Sequence, residues 1–159
     1  ITSAIYNAGS VGTVANAGNI LSTQDTLVGG SSSQLYSASG LRNDGTIGTL
    51  TNSGTISTDS TVSVVIPIVI TNAITNTGTI GTLSNSGKLS ATGTSNNAVS
   101  TSGTIGTLTN AATGTITAAL GGFNGGNIPA ANGVNVEGNG NIGTLANAGT
   151  ISGATWTST

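Results

Sequence analysis

Apolar and polar positions alternate along most of this chain, and the alternation returns in blocks. Five segments share the pattern I-x-N-x-G-x-I-G-T-L-x-N-x-G-x-I. They are IYNAGSVGTVANAGNI (5–20), LRNDGTIGTLTNSGTI (41–56), ITNTGTIGTLSNSGKL (74–89), VSTSGTIGTLTNAATGTI (99–116) and VEGNGNIGTLANAGTI (136–151). The fourth places Thr101 at the first Asn position and carries two extra residues before Gly114; the fifth places Gly138 there. Each block contains a half-repeat, L-x-N-x-G-x-I after I-x-N-x-G-x-I. Leu50, Asn52, Gly54 and Ile56 stand two apart, so a strand points them to one side. Thr51, Ser53 and Thr55 then face the other side, where β-branched Thr suits a pleated surface. Ile47 and Leu50 are three apart. That offset breaks the alternation, so a corner is expected at Gly48, and likewise at Gly12, Gly81, Gly106 and Gly143.

Strand and glycine corner in regular succession describe a coil rather than a hairpin ladder. Stacked coils put like residues above like, with Ile and Leu in inner rows and Asn forming ladders at the turns. The expected fold is all-β, a right-handed parallel β-helix (β-solenoid), its handedness taken from the general rule for parallel crossovers. The equivalent Ile/Val positions 11, 47, 80, 105 and 142 lie 36, 33, 25 and 37 residues apart. With ~20–25 residues per coil, the longer intervals are expected to hold extra loops or partial coils, for about six to seven coils in all. At ~4.8 Å per rung that is a rod of roughly 30 Å. Residues 1–159 read as a single β-helix segment, excised from something longer, with loop excursions at 21–40, 57–73 and 120–135.

Three inter-repeat segments stand out. TVSVVIPIVIT (61–71) reads as a buried strand, or as an exposed apolar strand that docks elsewhere, because Pro67 cannot donate to a ladder. Residues 120–136 hold five glycines between 121 and 133 plus Pro129, and read as an excursion from the coil. Phe123 at its tip could stack on a sugar or tuck back onto the rod. Residues 21–40, with Asp25 and Tyr36, read as an extra polar coil or loop. The string Gly138-Asn139-Gly140-Asn141-Ile142-Gly143 matches a dinucleotide-binding fingerprint, but no helix follows it, and Gly140 and Gly143 are the repeat's own glycines.

Composition then removes most chemistry. Thr, Ser, Asn and Gly supply 93 of the 159 residues; His, Cys and Met are absent; and the charged residues are Asp25, Arg42, Asp44, Asp59, Lys88 and Glu137. There is no thiolate or imidazole metal site and no Ser-His-Asp triad. Two basic residues make no footprint for nucleic acid. A net charge of −2 with 35 % hydrophobic residues departs from the disorder signature. No apolar run reaches the ~18 residues of a membrane helix, and Ile1 to Ser10 lacks the basic and apolar regions of a signal peptide. Asp44 and Asp59 are fifteen residues apart, less than one coil, so they are not expected to face each other as a hydrolytic pair. The chain is therefore read as a non-enzyme with no catalytic, metal or cofactor residues.

The repeat, best seen at 41–56 and 74–89, resembles those of Gram-negative type V autotransporter passenger domains, most of all the self-associating and diffuse-adherence adhesins. The likeness covers the five copies, about half the chain. It implies a secreted rod at the bacterial cell surface, carried across the outer membrane by a C-terminal β-barrel absent from this chain. Such rods mediate adhesion to host cells, autoaggregation and biofilm formation, and some carry heptose on Ser/Thr. The family has no catalytic residues to transfer.

The residues themselves suit that role. Thr51, Ser53, Thr55, Ser84 and Ser86 are expected to form an almost uncharged hydroxyl wall, with Phe123 as a further contact. Two such walls can approach without Coulomb repulsion, and weak contacts summed along a rod act by avidity. The expected partners are a second copy and host-cell glycans or proteins, with no nucleic acid and no membrane insertion by this segment. Two alternatives stay open. Thr49/Thr51, Thr107/Thr109 and Thr113/Thr115/Thr117 hint at the arrays of ice-binding solenoids, although Ala15, Ser84 and Ala146 interrupt them. A polysaccharide-active β-helix is the other.

Overall fold

The computed structural model describes residues 2–24, 36–60, 69–121 and 130–155. They form strands and turns with no helix, arranged in five tiers of three strands each. Tier one holds β1 (Thr2–Asn7), β2 (Ser10–Asn16) and β3 (Asn19–Gln24). Tier two holds β4 (Tyr36–Asn43), β5 (Thr46–Asn52) and β6 (Thr55–Ser60); tier three, β7 (Val69–Asn76), β8 (Thr79–Asn85) and β9 (Lys88–Gly93). Tier four holds β10 (Ser95–Thr101), β11 (Thr104–Asn110) and β12 (Thr115–Leu120); tier five, β13 (Ala130–Val136), β14 (Asn141–Asn147) and β15 (Thr150–Ser152). A short β16 (Ala154–Thr155) follows.

Each strand pairs in parallel with its counterpart in the next tier, giving three sheets ordered β1-β4-β7-β10-β13, β2-β5-β8-β11-β14 and β3-β6-β9-β12-β15. Only β16 runs antiparallel, on the edge of β13 at Ala130 and Ala131. The molecule is a β-solenoid of about four turns, spanning about 19 Å from first tier to last at the usual strand spacing.

The long repeat intervals lead one to expect six or seven coils, and the pairing register explains the difference. The 25 residues from Ile80 to Ile105 make one turn, with a single residue between Gly93 and Ser95. The equivalent joins from Gln24 to Ser37, Ser60 to Ile70 and Leu120 to Ala130 contain 12, 9 and 9 residues. The last interval also has two additional residues in each of two turns, at 111–114 and 137–140. Every interval is thus one turn, the longer ones with residues added at a join or in the corners. Much of the expected excursions is strand: 21–24, 36–40, 57–60, 69–73 and 130–135 belong to β3, β4, β6, β7 and β13. Residues 25–35, 61–68 and 122–129, with Asp25, Pro67, Phe123 and Pro129, lie outside the described residues.

Register stacks identical side chains. Val11, Ile47, Ile80, Ile105 and Ile142 form one inner row, and Val14, Leu50, Leu83, Leu108 and Leu145 another. In tiers two to four these residues are fully buried, as are Leu41, Ile74 and Val99 of the first sheet and Ile56, Leu89 and Ile116 of the third. Each such side chain contributes about 1.5–3 kcal/mol by leaving water.

The corners are not where the three-residue spacing puts them. Gly12, Gly48, Gly81, Gly106 and Gly143 lie inside strands, and Ile47 and Leu50 both point inward from one strand that bends at Gly48. Every pairing of this sheet steps over that glycine. A Cβ on Gly48 would stand 2.6 Å from the Gly12 carbonyl oxygen in the tier below. The bend turns that carbonyl upward, and only a residue without a side chain fits above it. The real corners are the Asn-x-Gly turns.

Asparagine builds those corners from inside, as the ladder reading expects. Between the second and third sheets, the Nδ2 of Asn16, Asn52, Asn85 and Asn110 donates to the Oδ1 of Asn52, Asn85, Asn110 and Asn147, each at 2.8 Å. Between the first and second, Asn7 donates to Asn43 and Asn43 to Asn76 at 2.7 Å, and Asn76 to Thr101 Oγ1 at 3.1 Å. The fifth tier ends this second ladder. Val136, not Gly138, pairs with Thr101. Gly138 instead sits in the 137–140 turn with φ +56°, and there Glu137, rather than Asn139, is the counterpart of Asp44.

Candidate interaction surface

The outer face of the second sheet is assembled from columns. Thr13, Thr49, Thr82, Thr107 and Thr144 align through all five tiers. On one side runs Ser10, Thr46, Thr79, Thr104 and Asn141; on the other, Ala15, Thr51, Ser84, Thr109 and Ala146. All are exposed or half-buried. No charge interrupts the face, and no side chain on it is larger than asparagine. Among the described residues, no side-chain hydrogen bond engages the five central threonines. The inner rows and the asparagine ladder beneath fix the backbone, and β-branching fixes χ1, so the array loses little freedom on contact.

The six candidate residues fall as follows. Thr51 and Ser84 are neighbours in one column of this face. Ser53 and Ser86 occupy the next corner, with their hydroxyls turned toward the backbone oxygens of Asn16 and Asn52 at 3.3 and 3.5 Å. Thr55 opens the third sheet beside Lys88. The five make a band around one edge of the rod, and the lysine breaks it on the third sheet. Phe123 lies outside the described residues. A corner placed at Gly48 hides the unbroken column through Thr49. Its signal is the recurrent Thr two residues after each in-strand Ile or Val.

The first sheet differs because its outer polar groups bond to one another. Ser39 and Asn72 both reach Thr75, at 2.7 and 3.0 Å, and Asn72, Asn97 and Asn132 are linked at 3.1 and 2.9 Å. Ser39, Asn72 and Asn97 are buried. This polar ladder escapes a reading of the repeat because it lies outside the 16-residue motif.

Charge collects at the corner beside that sheet. Arg42 Nε reaches both carboxylate oxygens of Asp44 at 2.9 and 3.0 Å, its NH2 group completes an ion pair at 2.9 Å, and its guanidinium lies 5.9 Å from the Tyr6 ring centre. Thr77 Oγ1 adds a hydrogen bond to Asp44 at 2.7 Å. The Arg42 hydrogen bond, aided by those of Thr77 and Tyr6, holds the Asp44 carboxyl below its usual pKa against a smaller opposing effect of burial. Asp59 is in β6 of the third sheet, in register with Thr92, whereas Asp44 lies in the corner between β4 and β5. Among the described residues, no three His, Cys, Asp or Glu side chains gather as metal ligands.

A depressed folded pKa stabilises the protein above the unfolded carboxylate range, and the effect fades as pH falls through the folded value. Both partners are about a quarter exposed (24 % and 23 %), so the pair is worth at most about 1 kcal/mol. Asp44→Asn should therefore lower the urea midpoint slightly at pH 7, and acid titration should close the gap between variant and wild type. An equal gap at all pH values would assign the loss to packing.

The chain matches no protein-family model, no curated protein and no solved structure.

Proposed function

We propose that this chain is a non-enzymatic adhesin segment from the surface of a Gram-negative bacterium, similar in kind to an autotransporter passenger and wound right-handed as parallel crossovers generally are. In this reading it promotes autoaggregation, biofilm formation or host adhesion, with a second copy or host-cell glycans and proteins as partners. The observation that supports it is the second sheet's uncharged face, with threonine hydroxyls in register over five tiers. A face of this kind meets its like without charge repulsion and offers many weak hydrogen bonds, each worth about 0.5–1.5 kcal/mol at best. Repetition along rods and across a cell multiplies them.

Cells displaying the chain should clump, and the double variant Thr51→Lys/Ser84→Lys should disperse them by placing adjacent positive charges on the face. Its fold should survive, since both side chains point outward. Clumping unchanged by the two lysines, in a variant with wild-type circular dichroism, would remove this face from the reading. The same threonine column favours a second reading, ice binding, and a thermal hysteresis measurement decides it: a freezing-point gap supports ice as ligand, and none eliminates it.

A further inference from the structure

We propose that Asn139 is a site of spontaneous covalent modification, where the side-chain amide is lost to attack by the Gly140 nitrogen and aspartate or isoaspartate results. Among the described residues, Asp44, Asn132 and Asn139 are the Asp and Asn residues that directly precede a glycine. A glycine in that place leaves its nitrogen unshielded by any Cβ, and its backbone freedom lets the nitrogen turn back on the preceding side chain. The sequence therefore offers three candidates of similar chemistry. The structure separates them.

Asp44 and Asn132 are both held. The Asp44 carboxylate accepts Arg42 Nε–H at 2.9 and 3.0 Å and the Thr77 hydroxyl at 2.7 Å, and an ionised carboxylate is a poor electrophile. Asn132 is half-buried in β13, in register with Asn97, and its Nδ2 donates to Asn97 Oδ1 at 2.9 Å. The glycine after it is enclosed. A Cβ on Gly133 would stand 2.7 Å from Ile151 Cγ2 and 2.9 Å from Ser152 O. Bringing the Gly133 nitrogen onto the Asn132 Cγ would part β13 from β10.

Asn139 has neither restraint. It is exposed, and among the described residues no side-chain hydrogen bond engages it. It follows Gly138, whose φ is +56°, in the 137–140 turn, and Gly140 comes next. A positive φ at the first central position alone is the type II′ arrangement. The turn is fastened to tier four on either side of Asn139, by Glu137 N–H on Thr101 O at 2.8 Å and Asn141 N–H on Gly103 O at 2.9 Å. Between those points, only the Gly140 N–H bond to Glu137 O, at 2.8 Å, must open to release the nitrogen. The exposure does not come from standing in tier five. Thr77 and Ser102, at the same corner between stacked tiers, are exposed as well.

The deprotonated Gly140 nitrogen attacks Asn139 Cγ, a nitrogen–carbon bond forms, and the bond from Cγ to Nδ2 breaks with loss of ammonia. Water then opens the five-membered imide at either carbonyl. One opening gives aspartate; the other gives isoaspartate, with the main chain one carbon longer. Four residues separate the paired positions Val136 and Asn141, where two separate Asn43 and Thr46, so this corner has length to absorb the extra carbon. One carboxylate added to the net charge of −2 makes it −3. The new charge stands two residues from Glu137 and two from Asn141, at the rim of the uncharged second-sheet face. The modification itself does not depend on what that face binds.

Reactions that wait on local opening follow the free energy of that opening, which is lower for an exposed turn than for a paired strand. Tandem mass spectrometry of peptides from the full chain, aged in warm, mildly alkaline buffer, reads the amide-to-acid mass gain at each asparagine. In the folded protein Asn139 should convert about tenfold or more faster than Asn132. In urea the two should convert at similar rates, because only the fold distinguishes them. Similar rates in the folded chain overturn the proposal, as does conversion of Asn132 first. So does an Asn139 that stays intact in the folded chain while it converts in urea.

Discussion

Replacing Gly87 by alanine should destabilise the solenoid by about 3 kcal/mol, at the upper end of what an overpacked methyl costs. The residue sits in the corner before β9, where an added Cβ would fall against the Gly54 carbonyl oxygen and lie 2.7 Å from the Ser53 carbonyl carbon. Neither neighbour can move alone. Gly54 O accepts Lys88 N–H at 2.8 Å, and Asn52 O accepts both Ser86 and Gly87 N–H at 2.9 and 3.1 Å. Relief would require parting two tiers whose sheets are paired on both sides of the corner. Conformational freedom is not the cause, since Gly87 does not have positive φ. Gly18→Ala is the matched control: at the equivalent corner of the first described tier an added Cβ meets no described atom within 4 Å, and the substitution should shift stability by no more than about 0.5 kcal/mol. Urea midpoints of the two variants test this. Equal losses would mean that the corner glycines serve local conformation rather than tier contact.

The contrast between those two glycines shows how far the chain alone can be read. The inner rows are legible because period-two spacing fixes side, and the register confirms Ile47 over Val11 and Leu50 over Val14. The asparagine ladders are legible too, since one amide above another can donate from Nδ2 and accept at Oδ1. Gly48 misleads for a physical reason. A three-residue step between inward side chains can be met by a corner or by a bend within a strand, and spacing does not separate the two. The number of turns comes out too high because intervals count residues, whereas turns count paired strands. The Arg42–Asp44 pair lies in plain view two residues apart, but nothing in the repeat says that Thr77 stands above it. The difference between Gly18 and Gly87 is visible only in three dimensions, where identical residues in successive tiers differ in the described atoms that lie against them.

Asn85→Ala is the second substitution expected to have a large effect, about 2–4 kcal/mol from one buried acceptor left unpaired and the other buried hydrogen bonds removed. Asn85 is fully buried in the middle of the longest ladder. Its Nδ2 lies 2.8 Å from Asn110 Oδ1, 3.1 Å from Gly87 O and 3.2 Å from Thr115 O, and its Oδ1 receives Asn52 Nδ2 at 2.8 Å. Truncation to alanine strands the Asn110 acceptor, at a cost of about 1–3 kcal/mol, and takes from Asn52 Nδ2 the shortest of its three hydrogen bonds, leaving those to Gly54 O and Lys88 O at 3.2 Å. The protein itself supplies the rescue. Thr101 occupies the equivalent place in the other ladder, accepting from Asn76 at 3.1 Å and donating to Gly103 O at 3.2 Å. Asn85→Thr should therefore recover the acceptor for Asn52 and the bond to Gly87 O, losing the upward links to Asn110 and Thr115. Asn147→Ala, at the exposed end of the same ladder, should cost least of the three. A ranking in urea midpoint with Asn85→Ala most damaging, Asn85→Thr intermediate and Asn147→Ala least would show that the ladder works through linked amides. Equal damage by alanine and threonine in place of Asn85 would show instead that the site needs the shape of asparagine and not its hydrogen bonds.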